Sequence, residues 1–437
     1  MDSQPILICP QWLVPVIPRE KVLVDHALLI NQGKIVALDK RAQLLDAYPQ
    51  AQVIELKSHA LLPGFINTHC HAAMSLFRGM ADDLPLSTWL NDHIWPAEHQ
   101  WVSEQFVADG TRLAIAEMLC SGTTCFADMY FHPNISAAVA QDAGIRAVIG
   151  LMMIDFPTPW GEGPDDYITK GIAVYDEIKS LSLVNASWTP HAPYSVSDEA
   201  LQRVQVIADE LNLNLQMHIH ETVTEVDEAT RDSGIRPLQR LYDLGILSPK
   251  MLAVHMTELS DEDIDLSARC GLSVGHCPES NMKLGNSICR VADLLDAGVN
   301  VALGTDGAAS NNDLDMLGEM RSASLAAKSR GKSAASISAW QALEMATING
   351  AKALNLAESI GSLEIGKCAD IVAIDLNQLN TQPVYEPVSQ IVYAAKSSQI
   401  SHVWVDGKLR VQNHQLVDLD TSILIQNAQQ WAARIRA

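Results

Sequence analysis

The strongest constraint on the fold of this chain is a regular alternation of short apolar segments with helical patterns. One helical segment spans 103–122; another, at 197–212, opens with the capping residue Ser197 and repeats its apolar residues at helical spacing. Near-continuous apolar runs are typical of strands in a parallel sheet that is covered on both faces. Eight such runs lie at 63–69, 123–129, 146–153, 184–190, 213–220, 251–257, 271–278 and 299–306.

Eight strands, each followed by a helix, predict an α/β fold in which a (β/α)8 barrel closes on itself. The alternative is an open, doubly wound sheet. That alternative is weaker because no glycine-rich phosphate-binding loop follows any early strand. The chain has 437 residues, which leaves room for a barrel of roughly 250 to 300 residues and one smaller unit.

The two ends of the chain differ from its centre. Residues 5–62 hold short strand-like runs with a turn signal at Gln32-Gly33, and Asp406-Gly407 marks a hairpin near the other end. Strands from both ends can pair into one small β-sandwich. We therefore predict three segments, which are the first part of the sandwich at 1–62, the barrel at 63–365, and the rest of the sandwich with a terminal helix at 366–437.

The charge of the chain disfavours several classes of partner. With 30 basic and 52 acidic side chains, its formal net charge is −22, which repels nucleic-acid backbones and anionic lipids. The sequence contains no run of about 20 uncharged apolar residues, so no membrane span is predicted. The N-terminus has no secretory pattern and the 8 cysteines form no C-x-x-C pair, so we expect a cytoplasmic protein with reduced thiols and no membrane or nucleic-acid partner.

The segment PGFINTHCHAAM places His69 and His71 at the end of the first predicted strand. Residues two apart on a strand point to the same side, so both imidazoles can enter one space while Cys70 turns away. Imidazole is a ligand for zinc, iron and other divalent ions. Alone, this pair fits a metal site and two ordinary buried histidines equally well. A structural Cys/His zinc site is weaker, since no second cysteine pair completes it.

Further ligand-type residues lie in the later strands. The active site of such a barrel forms at the C-terminal ends of its strands, and a catalytic metal needs about three or four protein ligands with one position left for water. The pattern therefore predicts a catalytic metal centre, although spacing alone does not choose between the two histidines of the fifth strand. The candidates are His218, His220, His255, His276 and Asp306.

A carboxylate near such a centre has a chemical role. A divalent ion lowers the pKa of bound water to about 7, and a neighbouring group must then move the proton. Glu221, three residues after His218, is the candidate, together with Asp306. The alternative for Glu221 is a carboxylate that merely begins a helix.

Five segments together resemble the amidohydrolase superfamily and, more closely, its branch of 5'-methylthioadenosine/S-adenosylhomocysteine deaminases. They are PGFINTHCHAAM, HIHET, AVHMTELSDED, GHCPESNMKLGNSICRV and LGTDGAASNNDLDMLGEMR. The resemblance covers nearly the whole chain. It implies a distorted barrel with a β-sandwich and one zinc ion per subunit, and the same ligands accept iron(II) or manganese(II). The implied metal ligands are His69, His71, His218 and Asp306. The implied catalytic residues are Glu221, His255 and Asp306.

The resemblance also implies a substrate, a 6-aminopurine nucleoside such as methylthioadenosine, S-adenosylhomocysteine or adenosine, which is hydrolysed to the inosine analogue and ammonia. The segment LMMIDFPTPWGEGPDDY lacks an arginine that some relatives carry, so we expect the amino-acid tail of S-adenosylhomocysteine to be held less well. The plain alternatives are helix packing for Trp89, a strand-end histidine for His191 and a structural strand-start residue for Arg146. The implied substrate-binding residues are Trp89, Glu98, Arg146, His191, Glu221 and Asp306.

Two alternatives stay open at this point. One is a related aminohydrolase that acts on guanine, an oxidised purine or a triazine. The other, from a different class, is a non-catalytic barrel scaffold, against which the intact set of ligand-type residues argues. The expected partner is a small molecule, and we also expect the chain to form a homo-oligomer.

Overall fold

The computed structural model describes residues 4–436, which form two β-sheets. The N-terminal segment supplies β1 (Ile6–Leu13), β2 (Leu23–Val24), β3 (His26–Asn31), β4 (Lys34–Lys40) and β5 (Gln52–Pro63). The centre supplies β6 (Phe65–Cys70), β7 (Thr123–Asp128), β8 (Arg146–Met153), β9 (Val184–Pro190), β10 (Asn214–Ile219), β11 (Met251–His255), β12 (Ser273–His276) and β13 (Asn300–Leu303). The C-terminal segment supplies β14 (Ile371–Asp375), β15 (Ile400–Val405), β16 (Lys408–Gln412) and β17 (Gln415–Leu416).

Helices follow the central strands in turn. The first half of the chain contains α1 (Arg41–Ala47), α2 (Leu86–Thr88), α3 (Trp95–Trp101), α4 (Glu104–Cys120), α5 (Pro133–Ala143), α6 (Pro164–Ile178) and α7 (Asp198–Leu211). The second half contains α8 (Val223–Ser233), α9 (Pro237–Asp243), α10 (Asp261–Cys270), α11 (Pro278–Lys283), α12 (Val291–Asp296), α13 (Met316–Gly331), α14 (Ala339–Met345), α15 (Ile348–Ala353), α16 (Pro387–Tyr393) and α17 (Thr421–Arg436). Short 3-10 turns lie at Ala72–Phe77 and Ser397–Gln399, and one π-helical turn lies at Trp89–Ile94.

The eight central strands run parallel in chain order from β6 to β13. Each of the eight predicted apolar runs coincides with one of these strands, and most of their residues are buried. The helix predicted at 103–122 is α4, and the one at 197–212 is α7. The predicted (β/α)8 barrel is therefore confirmed.

The first and last barrel strands approach each other closely at the end where the site forms. Thr68 Oγ1 donates a hydrogen bond to the carbonyl oxygen of Leu303 at 2.8 Å, and the Asp306 amide donates to the carbonyl of His69 at 2.9 Å. Gly304 permits this approach, because a Cβ atom there would lie 2.9 Å from the His69 amide nitrogen. The closure brings the end of the eighth strand directly against His69.

The chain ends form one mixed sheet of nine strands in the order β17-β16-β15-β14-β5-β1-β3-β4, with β2 beside β1. Its two halves meet where β5 pairs antiparallel with β14. The sheet curls until its outer hairpins touch, since a Cβ at Gly33 would lie 2.9 Å from the Asp406 carbonyl oxygen. The predicted pairing of the chain ends is thus confirmed, as a single curled sheet around its own apolar cluster. The boundaries at 62/63 and 365/366 stay predictions.

The helices bear on the expectation that no segment spans a membrane. Within residues 4–436, no helix combines the length and the apolar character that crossing a bilayer requires. The longest helix, α4, has 17 residues and contains charged side chains.

Candidate active site and metal centre

His69 and His71 point their imidazoles into one space at the C-terminal end of the barrel. Nε2 of His69 lies 3.2 Å from Nε2 of His218 and 3.4 Å from Oδ1 of Asp306. Nε2 of His71 lies 3.2 Å from the same Asp306 oxygen. Cys70 between them faces the other way, with its sulfur 4.0 Å from an oxygen of Asp128. The strand alternation therefore produces the convergence that the H-x-H spacing predicts.

The outer nitrogens of two of these rings are held by backbone carbonyls. Nδ1 of His71 lies 2.5 Å from the Met129 carbonyl oxygen, and Nδ1 of His218 lies 2.9 Å from that of His191. A carbonyl oxygen accepts hydrogen bonds and cannot donate, so both Nδ1 atoms carry hydrogen. Each Nε2 atom faces the shared space, where the neutral ring would offer its lone pair to a metal ion. Metal-binding histidines in proteins are oriented in this way.

Asp306 follows β13 with a backbone φ of 62°, in the left-handed region. Its Oδ2 accepts hydrogen bonds from the hydroxyls of Ser280 at 2.6 Å and Ser310 at 2.8 Å, which leaves Oδ1 facing the histidines. Burial acts to raise the pKa of Asp306, but hydrogen bonds from His69 and His71 outweigh burial and hold it well below its usual range. The side chain is therefore a carboxylate at neutral pH.

The donor atoms fit a divalent metal ion. The ligand atoms of His69, His71 and Asp306 all lie within 4.8 Å of one another, and the same holds for His69, His218 and His255. Imidazole nitrogens combined with one carboxylate suit borderline transition-metal ions such as zinc.

His220 does not join this cluster, although the sequence left it open as a ligand. Strand β10 ends at Ile219, and His220 has a φ of 53° that turns its side chain out of the strand alternation. Its Nε2 accepts a hydrogen bond from the Leu238 amide at 3.1 Å, and its Nδ1 lies 3.8 Å from Asp263. His276, at the end of β12, is buried and has no place in either group of ligand atoms among the described residues.

Glu221 and His255 lie beside the metal cluster. Nε2 of His255 is 3.8 Å from Oε2 of Glu221, and both side chains are buried. Burial, with added repulsion from Asp306 and Glu225, raises the pKa of Glu221 well above its usual value. Burial also lowers the pKa of His255 to about 3. Burial thus favours the protonated form of the Glu221 carboxyl and the neutral form of the His255 ring, which suits the first to donate a proton and the second to accept one.

These residues form the floor of a cleft at the C-terminal end of the barrel. Its floor is polar, whereas its upper wall is mainly apolar and includes Leu90, Ile94, Trp95, Met152 and Phe156. The cleft can thus bind a small molecule with one polar end and one apolar end.

Besides Glu221 and Asp306 on its floor, three more of the predicted substrate contacts line this cleft. Trp89 opens the π-helical turn, Glu98 lies on α3, and His191 follows β9. Burial raises the pKa of Glu98 to about 7, partly offset by the neighbouring hydroxyl of Tyr130. Burial lowers the pKa of His191 to about 3, and its Nδ1 lies 2.9 Å from the Ser195 hydroxyl.

Arg146 is not brought to the cleft, contrary to the expectation that it contacts substrate. It is the first residue of β8, at the opposite end of the barrel from the site. Its Nε and Nη2 donate to the two carboxylate oxygens of Asp370 at 2.9 and 3.1 Å, and both side chains are buried. Arg146 does not reach the substrate cleft because it lies at the start of its strand, whereas the cleft lies at the strand ends. It is a structural residue of the strand start, which was the alternative to substrate binding.

Three further residues back the site, and their role was not predicted from the sequence. Gln216 places its side-chain nitrogen 2.7 Å from Nδ1 of His69, Ser280 binds Asp306, and Asn281 lies 3.0 Å from Nδ1 of His255. The signal for Gln216 was its position two residues before His218 on the same strand face. The signal for Ser280 and Asn281 was the polar segment PESN directly after the seventh strand.

The fold and the site define a class, which is a barrel hydrolase with a metal-type ligand cluster at its strand ends. The model of the amidohydrolase family matches residues 60–410. A 5-methylthioadenosine/S-adenosylhomocysteine deaminase of Saccharophagus degradans is 48% identical, over 99% of this chain and 97% of that protein. A 5'-deoxyadenosine deaminase of Methanopyrus kandleri is 39% identical, over 95% of this chain and 96% of that protein. The solved structure of an adenosine deaminase from Xanthomonas campestris with bound zinc has a TM-score of 0.96 and 44% identity, and covers 100% of this chain and 99% of that chain.

The chain belongs to the amidohydrolase family, within the branch that these deaminases represent. It is therefore a hydrolytic enzyme, and the alternative of a non-catalytic scaffold is set aside. The resemblance recognised from the motifs is confirmed.

Proposed function

We propose that the chain hydrolytically deaminates adenine nucleosides whose 5' position carries a small apolar group, with 5'-methylthioadenosine as the leading substrate. The observation that carries this proposal is the buried Glu221 carboxyl on the floor of a cleft that is also lined by a second glutamate, Glu98. Deamination of a purine needs a proton donor for a ring nitrogen, and recognition of a ribose needs a hydroxyl acceptor. The names of the relatives from Saccharophagus degradans and Methanopyrus kandleri support the same reaction.

The proposed metal ligands are His69, His71, His218 and Asp306. Zinc is the proposed ion, one per chain, because the related adenosine deaminase of Xanthomonas campestris was solved with bound zinc. A divalent ion at this position lowers the pKa of a water molecule to about 7 and so supplies a nucleophile at neutral pH.

Three side chains are proposed to move protons. His255 and Asp306 orient the attacking water, and the neutral His255 Nε2 accepts its proton. Glu221 donates its proton to the ring nitrogen next to the amino-bearing carbon. Water thus adds to that carbon, and the amino group takes up the proton held by His255 and leaves as ammonia. The hydroxyl of the adduct returns a proton to Glu221, and the product is the 6-oxo purine nucleoside.

Trp89, Glu98 and His191 are proposed to bind the nucleoside. The ionised Glu98 carboxylate accepts hydrogen bonds from the two ribose hydroxyls, and the Trp89 indole packs against the nucleoside. Among the described residues that line the cleft there is no lysine or arginine. A 5'-methylthio or 5'-deoxy group therefore suits the apolar wall better than an amino-acid tail with its carboxylate.

Ammonia release from a substrate panel tests this function. On metal-loaded protein we expect the highest kcat/KM with methylthioadenosine, and lower values with S-adenosylhomocysteine and adenosine. Guanine and adenine should be turned over poorly, because they lack the ribose that Glu98 binds. Turnover of guanine alone would overturn the proposed substrate class and leave the fold untouched.

The raised pKa of Glu98 predicts a pH dependence. Since that pKa is about 7, Glu98 is protonated below pH 7 and a poorer acceptor for two hydroxyls, so kcat/KM should fall as the pH drops through that value. The pH profile of Glu98→Gln should start lower and lack this inflection. A wild-type profile that stays flat from pH 8 to pH 6, or an inflection that survives in Glu98→Gln, contradicts the role of Glu98.

A further inference from the structure

Helix α11 supplies two consecutive residues to two different groups of the site. Ser280 donates its hydroxyl to Oδ2 of Asp306 at 2.6 Å, and the Asn281 amide lies 3.0 Å from Nδ1 of His255. Ser280 is 0% exposed and Asn281 is 2% exposed. Both contacts are therefore shielded from water, which strengthens hydrogen bonds and makes an unmatched polar atom costly.

The Nδ1 contact of His255 differs from those of the neighbouring histidines. In His71 and His218 a backbone carbonyl faces Nδ1, so the backbone fixes the tautomer. In His255 the Nδ1 partner is a side-chain amide, which carries an acceptor, Oδ1, and a donor, Nδ2. The tautomer of His255 is therefore set by one replaceable side chain.

The two orientations of the Asn281 amide give His255 opposite roles. With Nδ2 against Nδ1, the imidazole proton lies on Nε2, and the nitrogen that faces Glu221 can only donate. With Oδ1 against Nδ1, the proton lies on Nδ1, and Nε2 is free to accept. The two amide orientations have nearly the same shape, so the hydrogen-bond network selects between them. Oδ1 of Asn281 is buried and has no hydrogen-bond partner within residues 4–436 when Nδ2 faces His255. Turning the amide pairs Oδ1 with the Nδ1 hydrogen and moves Nδ2 to the position that Oδ1 occupied.

We propose that Asn281 is a positioning residue that presents Oδ1 to the Nδ1 hydrogen of His255 and thereby keeps Nε2 as the proton acceptor for the attacking water. The inference rests on the proposed role of His255 in deamination. Ser280, the preceding residue, donates a hydrogen bond to Asp306. Helix α11 therefore contacts both the acceptor His255 and the carboxylate Asp306 and fixes their relative positions.

Exchange of Asn281 for aspartate and for leucine separates an acceptor role from a merely structural one. Aspartate has the same shape and can accept from Nδ1, whereas leucine cannot. We expect Asn281→Leu to lower kcat about 10- to 100-fold, with KM and bound metal unchanged, since partners that orient site histidines have effects of this size. Asn281→Asp should stay within several-fold of the wild type. Asn286→Leu, the same exchange five residues further on, is the matched control and should behave as the wild type.

The nitrogen NMR spectrum of histidine-labelled, metal-loaded protein gives a readout that does not depend on turnover. The His255 signals are assigned by their loss in His255→Gln. We expect hydrogen on Nδ1 in the wild type and in Asn281→Asp, and a loss of that preference in Asn281→Leu. Hydrogen on Nε2 in the wild type, unchanged kcat in Asn281→Leu, or an equal loss in both variants would overturn the inference. If the wild type deaminates no nucleoside, the proposed function fails, and the NMR result alone decides the role of Asn281.

Discussion

Replacement of Glu221 by glutamine is expected to lower kcat for nucleoside deamination by about 10²- to 10⁴-fold, the range that general acid–base groups contribute. Glutamine keeps the size of the side chain but has no acidic proton to give to the ring nitrogen. The loss should fall on kcat more than on KM, because the proton moves during the reaction and not during binding. Steady-state ammonia release at saturating methylthioadenosine measures the effect.

Metal content distinguishes this loss from a damaged site. Glu221 is not among the proposed metal ligands, so Glu221→Gln should keep stoichiometric metal, whereas His71→Ala should lose both metal and activity. Glu228→Gln makes the same exchange on the exposed face of α8, where the side chain is 58% exposed, and should leave kcat unchanged. Wild-type kcat in Glu221→Gln, or loss of its metal, contradicts the role of Glu221 as proton donor.

The barrel could be predicted from the sequence because its signal is local and repeated. A strand such as β8 is buried along its whole length, and after Arg146 at its start it consists of apolar residues. The pairing of the chain ends was predictable for a similar reason, since turn signals such as Gly33 and Gly407 adopt φ values of 78° and 71° that favour glycine. Each of these features depends on a few neighbouring residues.

The parts of the site that escaped prediction depend on the exact end of a strand or on distant contacts. His218 and His220 are equivalent in a continuous strand, and the left-handed turn at His220 makes them different. Asn281 is 26 residues from His255 in the chain, and only the closed barrel brings them together. The oligomeric state and the cellular location depend on other molecules and stay predictions.

Arg146 was assigned wrongly for the same reason. In the sequence, a charged residue at a strand start has the same pattern whether it contacts a ligand or another part of the protein. In the structure, its guanidinium forms a two-point ion pair with Asp370, 224 residues further along the chain. The Asp370 carboxylate also accepts from the amide of Asp406 at 2.8 Å. This pair joins the bottom of the barrel at β8 to the curled sheet at β14.

Exchange of Arg146 for methionine is expected to lower the free energy of unfolding by about 3–5 kcal/mol, because it leaves a buried carboxylate without its partner. Urea unfolding of the metal-loaded protein measures the loss. The folded fraction of Arg146→Met should keep the wild-type KM for methylthioadenosine, since the guanidinium lies outside the cleft. An unchanged stability together with a raised KM would instead return Arg146 to the substrate site.

The double variant Arg146→Met/Asp370→Asn tests whether the unpaired charge is the cause. Asparagine removes the stranded charge and keeps an oxygen that can accept from the Asp406 amide. We therefore expect the double variant to be more stable than Arg146→Met alone, by the coupling that residues in direct contact show in a double-mutant cycle. If the second exchange destabilises the protein further, the energetic role of Arg146 lies in the packing of its side chain and not in the ion pair.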